Sequence, residues 1–158
     1  MGELTFIELT GGDAAAFIEE SRISFVDGQV ALGEDRASVE ARADAVHARV
    51  LPGGVLNRDH HVVRLTADGT TVGHIWTARD EDDEWYVWDV GIEAGDRGRG
   101  FGRAAMEHAE ALARADGASA IALSVATTND VAVGLYRSMG YEDVGEPQAG
   151  LVLMRKPL

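Results

Sequence analysis

Residues 96–105 read Asp-Arg-Gly-Arg-Gly-Phe-Gly-Arg-Ala-Ala. Gly98, Gly100 and Gly102 interleave there with Arg97, Arg99 and Arg103, and no acid falls between 97 and 103. Glycines let a backbone turn without Cβ clashes, so several N–H groups can point into one concavity. The stretch follows an apolar segment, residues 85–92, that reads as a strand, and it opens a helical pattern over residues 103–115. A helix N-terminus behind such a turn adds partial positive charge to the three guanidinium groups. The chemistry this suits is the binding of a pyrophosphate. The plain alternative is an arginine-rich surface turn between strand and helix.

Other reactive side chains give weaker patterns. His60-His61 would form a metal pair only with a third ligand, and His47, His74 and His108 show no ligand spacing, so alternation at a strand start is the reading and no metal is expected. The run Asp80-Glu81-Asp82-Asp83-Glu84 reads as a solvated hairpin tip that would also draw cationic partners. Trp76, Trp85 and Trp88 are core or pocket walls, and no periodicity separates those options. The chain has no cysteine, which excludes disulfides, thiolate metal sites and a cysteine nucleophile. A formal charge of −13 disfavours nucleic-acid and anionic-membrane surfaces.

These groups must be held by elements that the patterning supplies. Residues 4–9 read as a first strand. Asp13 can cap a helix reaching about Val26, broken by Gly28 and Gly33, and a second helix covers residues 35–51 before Pro52-Gly53-Gly54. Strands at 61–66 and 70–78 flank Asp68-Gly69, a strong hairpin signal. A strand at 85–93 leads into the glycine turn and its helix, which Asp116-Gly117 closes. A strand at 121–126, a helix at 130–139 ended by Gly140, and a last strand at 152–154 complete the order. The 158 residues predict one domain, 1–158, of the α+β class, with helices layered on a mixed sheet. With no long apolar run and no basic-then-apolar start, a cytoplasmic protein is expected.

Two phosphate-binding readings fail. Gly100-Phe-Gly102-Arg-Ala-Ala105 matches a dinucleotide fingerprint by letters, but that reading needs an acid at the end of the next strand. Here residues 121–126 run into Thr127-Thr128-Asn129. A Walker loop fails because no Gly-Lys-Ser/Thr is present. Arg97-Gly98-Arg99-Gly100-Phe101-Gly102 instead resembles the acetyl-coenzyme A loop, Arg/Gln-x-x-Gly-x-Gly/Ala, of the GNAT-type N-acetyltransferases. Asn129, Ala132, Leu135-Tyr136 and Gly140-Tyr141 resemble a second signature of that superfamily. The resemblance covers residues 85–141 and implies a GNAT-like, mostly antiparallel mixed sheet flanked by helices on both faces. Ala94 stands where the family usually has proline.

The resemblance implies acetyl-coenzyme A as co-substrate and a primary amine as acceptor, either a small cationic amine or a peptide amine. Arg97, Arg99, Arg103 and the backbone of Gly98, Gly100 and Gly102 would meet the phosphates. Val90 and Ile92 would pair with the pantetheine amides, facing the strand at 123–126. Asn129 could bond to a pantetheine amide or cap the helix at 130–139. Tyr136 is the candidate general acid, since amine attack on a thioester expels a thiolate that a phenol can protonate. Its alternative is packing, because Ala132, Leu135, Tyr136 and Met139 form a helical stripe. Asp89, through a water, is the candidate base, with a structural hydrogen bond as its alternative; Glu84 and Tyr86 lie upstream with opposite strand parity. Ser124 replaces a glutamate that some members carry, which weighs against the ribosomal-protein acetyltransferase subtype. With no cysteine for an acyl-enzyme, transfer would be direct. A non-catalytic acyl-coenzyme A sensor of the same fold is the rival, and homodimer formation is left open.

Overall fold

The computed structural model describes residues 2–158. Strands β1 (Leu4–Glu8), β2 (His60–Ala67), β3 (Thr70–Arg79), β4 (Glu84–Ile92), β5 (Ala120–Ala126), β6 (Glu142–Gln148) and β7 (Leu151–Pro157) form one sheet. Its order is β1-β2-β3-β4-β5-β7-β6. The helices among the described residues are α1 (Gly11–Ala31), α2 (Arg36–Val50), α3 (Phe101–Ala115) and α4 (Asp130–Ser138). β3 with β4, β5 with β7 and β6 with β7 are antiparallel, and β4 with β5 is parallel. The α+β class and the mixed, mostly antiparallel sheet expected from the sequence are both present.

Chain contacts group into two compact units, residues 2–7 with Val63–Leu158, and Glu8–Val62. In the larger, α3 buries Phe101, Ala105, Met106, Ala109 and Ala113, one face at helical spacing. Three alanines on that face bring the helix backbone close to the sheet, where Ile75, Trp85, Val87, Ile121 and Met154 complete the cluster. Glu110 is also buried on α3, and the Lys156 ammonium of β7 neutralises it. In the smaller unit, Val26 and Val30 of α1 pack on Val39 and Ala43 of α2.

Local chemistry explains where the elements depart from expectation. Asp68 and Gly69 take φ of 50° and 80°, the left-handed pair that closes a two-residue hairpin. Asp35 caps α2 by accepting from the Ser38 N–H at 3.0 Å. α1, however, runs through Gly28, and Thr10 occupies the cap position, with Asp13 inside the first turn. A glycine inside a helix costs only about 1 kcal/mol, which burial of Val26 and Val30 can offset. The chain leaves the helix at Gly33, whose φ of 98° no β-carbon favours. β6 was not expected: every residue of Glu142–Gln148 is exposed, so no alternation marks it. β7 supplies its pairing.

Candidate active site

The geometry of the glycine turn suits an anion. Gly98 and Gly100 have φ of 75° and 86°, in a region that costs other residues about 1–2 kcal/mol. Gly100 begins α3 with no side-chain cap and no acid in the first turn. The first N–H groups of any helix lack intrahelical acceptors, and no acid of the first turn opposes them here; Asp96, which lines the same cavity, is paired with Arg99. Residues of the turn, with Arg97 and Arg103, line a cavity of about 840 Å³. Gly102 keeps its wall flat: a β-carbon there would sit 3.4 Å from Leu135 Cδ2.

The three arginines are not equivalent. Arg97 Nε donates to the Ile92 carbonyl at 3.1 Å, which folds the turn back onto β4. Arg103 Nη2 donates to Ser138 Oγ at 2.7 Å, anchoring α3 to α4. Among the described residues neither has a carboxylate partner. Arg99 instead pairs with Asp96 at 3.0 Å and lies over the Phe101 ring at 4.9 Å from its centroid. It does not line the cavity, whereas Arg97, Gly98, Gly100, Gly102 and Arg103 do, together with Val90 and Ile92. The acid that neutralises Arg99 stands one residue outside the acid-free window.

Next to this cavity the sheet opens. β4 and β5 pair only from Glu84 with Ala120 to Val87 with Leu123, while β5 stays paired to β7 as far as Ala126. Beyond Val87, β4 has left β5, and the gap is a cavity of about 210 Å³. Trp88, Asp89 and Val90 form one wall and residues 123–126 the other. An extended chain of amides is what such unpaired strand backbone accepts.

A bulge in β4 decides which side chains meet there. Trp76 pairs with Asp89 and Thr77 with Val87, so Trp88 is an extra residue in the ladder. Cross-strand partners share a face, which puts His74, Trp76, Tyr86 and Asp89 on one side and Ile75, Val87 and Val90 on the other. The parity expected from unbroken alternation is therefore corrected: Tyr86 and Asp89 lie on the same face. Asp89 Oδ2 is 3.0 Å from His74 Nε2. His74 itself lies against Gly91, where a β-carbon would approach its Cε1 to 2.7 Å. Sequence spacing gave no hint of this pair, because β3–β4 register creates it.

Tyr136 is 6% exposed and belongs to the core cluster, with its ring edge-on to Tyr141 at 5.9 Å. It also lines both cavities, as do Val90, Asn129 and Ala132. Packing and chemistry are thus compatible at this position. Burial, and then the Asp89 carboxylate, push its phenol above the ordinary range, so it carries its proton at neutral pH. Asn129 caps α4 by accepting from the Ala132 N–H at 3.2 Å.

Other candidates settle into structural roles. The indole of Trp85 is in the core and donates to Asp116 Oδ2 at 3.0 Å, whereas Trp76 and Trp88 stack on the opposite face. Glu84 binds Arg155 at 2.6 Å and Asp83 binds Arg79 at 3.0 Å. The acidic run stands at the start of the nine-residue β4, about 25 Å from the glycine turn at its end. That is several screening lengths at physiological salt, so its field does not reach the anion cradle. His61 pairs with Glu8 at 2.6 Å. Among the described residues no cluster of His, Asp and Glu could hold a metal ion, and no helix is long and apolar enough to cross a membrane.

Residues 32–141 match the acetyltransferase (GNAT) family. The chain belongs to that family. It is 29% identical over 104 residues to the uncharacterised N-acetyltransferase YdgE of Bacillus subtilis (strain 168), covering 63% of this chain and 66% of that protein. It is 32% identical over 102 residues to the N-alpha-acetyltransferase RimI of Mycobacterium tuberculosis, covering 60% and 63%. This GNAT chain therefore spans less than two thirds of either relative. Its fold matches the PaiA N-acetyltransferase of Thermoplasma acidophilum, solved in complex with coenzyme A, with a TM-score of 0.67. That match covers 99% of both chains at 16% identity.

Proposed function

We propose that this chain is a single-domain, cytosolic N-acetyltransferase that moves an acetyl group from acetyl-coenzyme A directly to a primary amine. The observation that carries the reading is the meeting of two cavities at Tyr136. One has the basic, glycine-built mouth that a pyrophosphate and 3′-phosphate require; the other opens between splayed strands beside a carboxylate. Arg97, Arg103 and the first-turn amides of α3 would hold the phosphates. Val90 and Ile92 would pair with the pantetheine arm. Coenzyme A in the Thermoplasma fold neighbour supports the assignment.

Each step then falls to a placed group. Asp89 takes a proton, through a water, from an ammonium whose ordinary pKa is ~10. The neutral amine forms the new C–N bond at the thioester carbonyl, and the C–S bond breaks. The nitrogen, which still carries one proton too many for an amide, releases it to solvent as the C–S bond breaks; Tyr136 gives its proton to the departing thiolate, and the proton held at Asp89 restores the phenol through water. Burial raises the Tyr136 phenol above its ordinary range, so it keeps the proton it must donate.

The test is a panel of primary amines and peptide amines incubated with acetyl-coenzyme A, with free thiol as the readout. Thiol release that requires both protein and amine is the expected result. Coenzyme A binding without turnover on any amine would instead support the acyl-coenzyme A sensor.

A further inference from the structure

We propose that the Asp96 carboxylate is a brake on coenzyme A binding at the glycine turn, and that Arg99 eases it by masking that carboxylate rather than by gripping a phosphate. The proposal rests on the reading that this turn holds the cofactor's phosphates, and it names the two charged groups that set how tightly.

Among the described residues that line the 840 Å³ cavity, Asp96 is the acid, and Arg97 and Arg103 are the bases. Left bare, the Asp96 carboxylate would offset one of those positive charges and repel an incoming phosphate. Its place is set by the backbone. Ala94–Asp96 form a single tight helical turn, in which the Asp96 N–H donates to the Glu93 carbonyl at 2.9 Å. The side chain is 24% exposed, so solvent screens its charge only in part.

Arg99 is held so that it reaches the carboxylate and not the cavity. Its Nη1 donates to Asp96 Oδ1 at 3.0 Å, and its guanidinium lies over the Phe101 ring. Phe101 is buried at the start of α3, so that ring is a fixed seat. Both contacts leave Arg99 outside the cavity lining. A guanidinium already paired with an acid has little charge left for a phosphate, and removing it would uncover the acid. Coenzyme A and its acetyl thioester carry the same phosphates, so the brake acts on both alike. Phosphate contacts that grip both species equally slow product release without speeding the chemical step, and a carboxylate in the wall limits that grip.

Calorimetric titration of the full chain with coenzyme A separates masking from gripping, on the wild type, Asp96→Asn, Arg99→Ala and the double variant. Asp96→Asn should tighten coenzyme A about fivefold and Arg99→Ala should weaken it about fivefold, the effect of one charge in part-exposed surroundings. In the Asp96→Asn background, Arg99→Ala should change affinity by less than about twofold, because no carboxylate is left to uncover. Opposite signs for the two single variants exclude a merely structural pair, since either substitution breaks it. No tightening by Asp96→Asn, no loss on Arg99→Ala, or an equal loss on Arg99→Ala in both backgrounds would overturn the proposal. Should Arg99→Ala fail to fold, Arg99→Gln takes its place in both backgrounds. The same four proteins are titrated with inorganic pyrophosphate, followed by the backbone amide shifts of residues 98–103. The expected pattern with pyrophosphate in a chain that does not bind coenzyme A would sink the acetyl-transfer reading and keep the masking. Binding of neither probe by the wild type would overturn both.

Discussion

Tyr136→Phe should slow acetyl transfer by about 10²–10⁴-fold, the usual worth of a general acid. The substitution keeps the ring, its edge contact with Tyr141 and its place in the core, and it deletes one hydroxyl. Coenzyme A affinity should therefore stay within about twofold, as should the melting temperature within a few degrees. The effect belongs in the turnover number rather than in KM, because the proton moves only as the thiolate departs. Rapid-quench measurement of the chemical step checks this. A Phe variant with near-native chemistry would leave Tyr136 a packing residue.

Gly102→Glu should abolish coenzyme A binding in a chain that still folds. Gly102 has an ordinary negative φ, so a side chain there adds no backbone strain. What it adds is bulk toward Leu135 and a carboxylate among forward-facing amides. Losing two charge-assisted hydrogen bonds, each worth about 1.5–3 kcal/mol, corresponds to at least 10²-fold in affinity. Gly102→Ala is the control: its methyl would rest 3.4 Å from a flexible leucine terminus, and binding should survive. Calorimetry on both variants separates charge and bulk at the cradle from general damage. Native affinity in a folded Glu variant would contradict the placement of the phosphates.

The sequence made some of this legible and hid the rest for identifiable reasons. The hairpin at Asp68-Gly69, the glycine turn before α3 and the end of α4 near Gly140 are written in local backbone chemistry, and they stand where that chemistry puts them. α1 continues past Gly28, where local punctuation predicts its end, because the apolar contacts of Val26 and Val30 outweigh one glycine. β6 carries no alternation, since none of its residues is buried, and its pairing comes wholly from β7. At the site, Arg97 and Arg103 could be picked out from residue type and spacing, whereas Tyr136 is marked only by the family resemblance, since spacing alone sets it in an apolar helical stripe. The neutralisation of Arg99 by Asp96 depends on how the turn closes. The His74–Asp89 contact, and the shared cavity of Trp88 and Asp89, depend on one extra residue in the β3–β4 ladder. A bulge changes side-chain parity without any mark in composition, so no pattern along one strand could reveal it.

The central claim is that the turn at residues 98–103 holds the phosphates of coenzyme A and delivers the thioester to Tyr136. Backbone amide chemical shifts measured during a coenzyme A titration test it most directly. The account predicts saturable shifts that are largest at Gly98, Gly100, Gly102 and Arg103, with smaller ones at Val90, Asn129 and Tyr136. Saturable binding whose shifts bypass residues 98–103, or no binding at all, would contradict it.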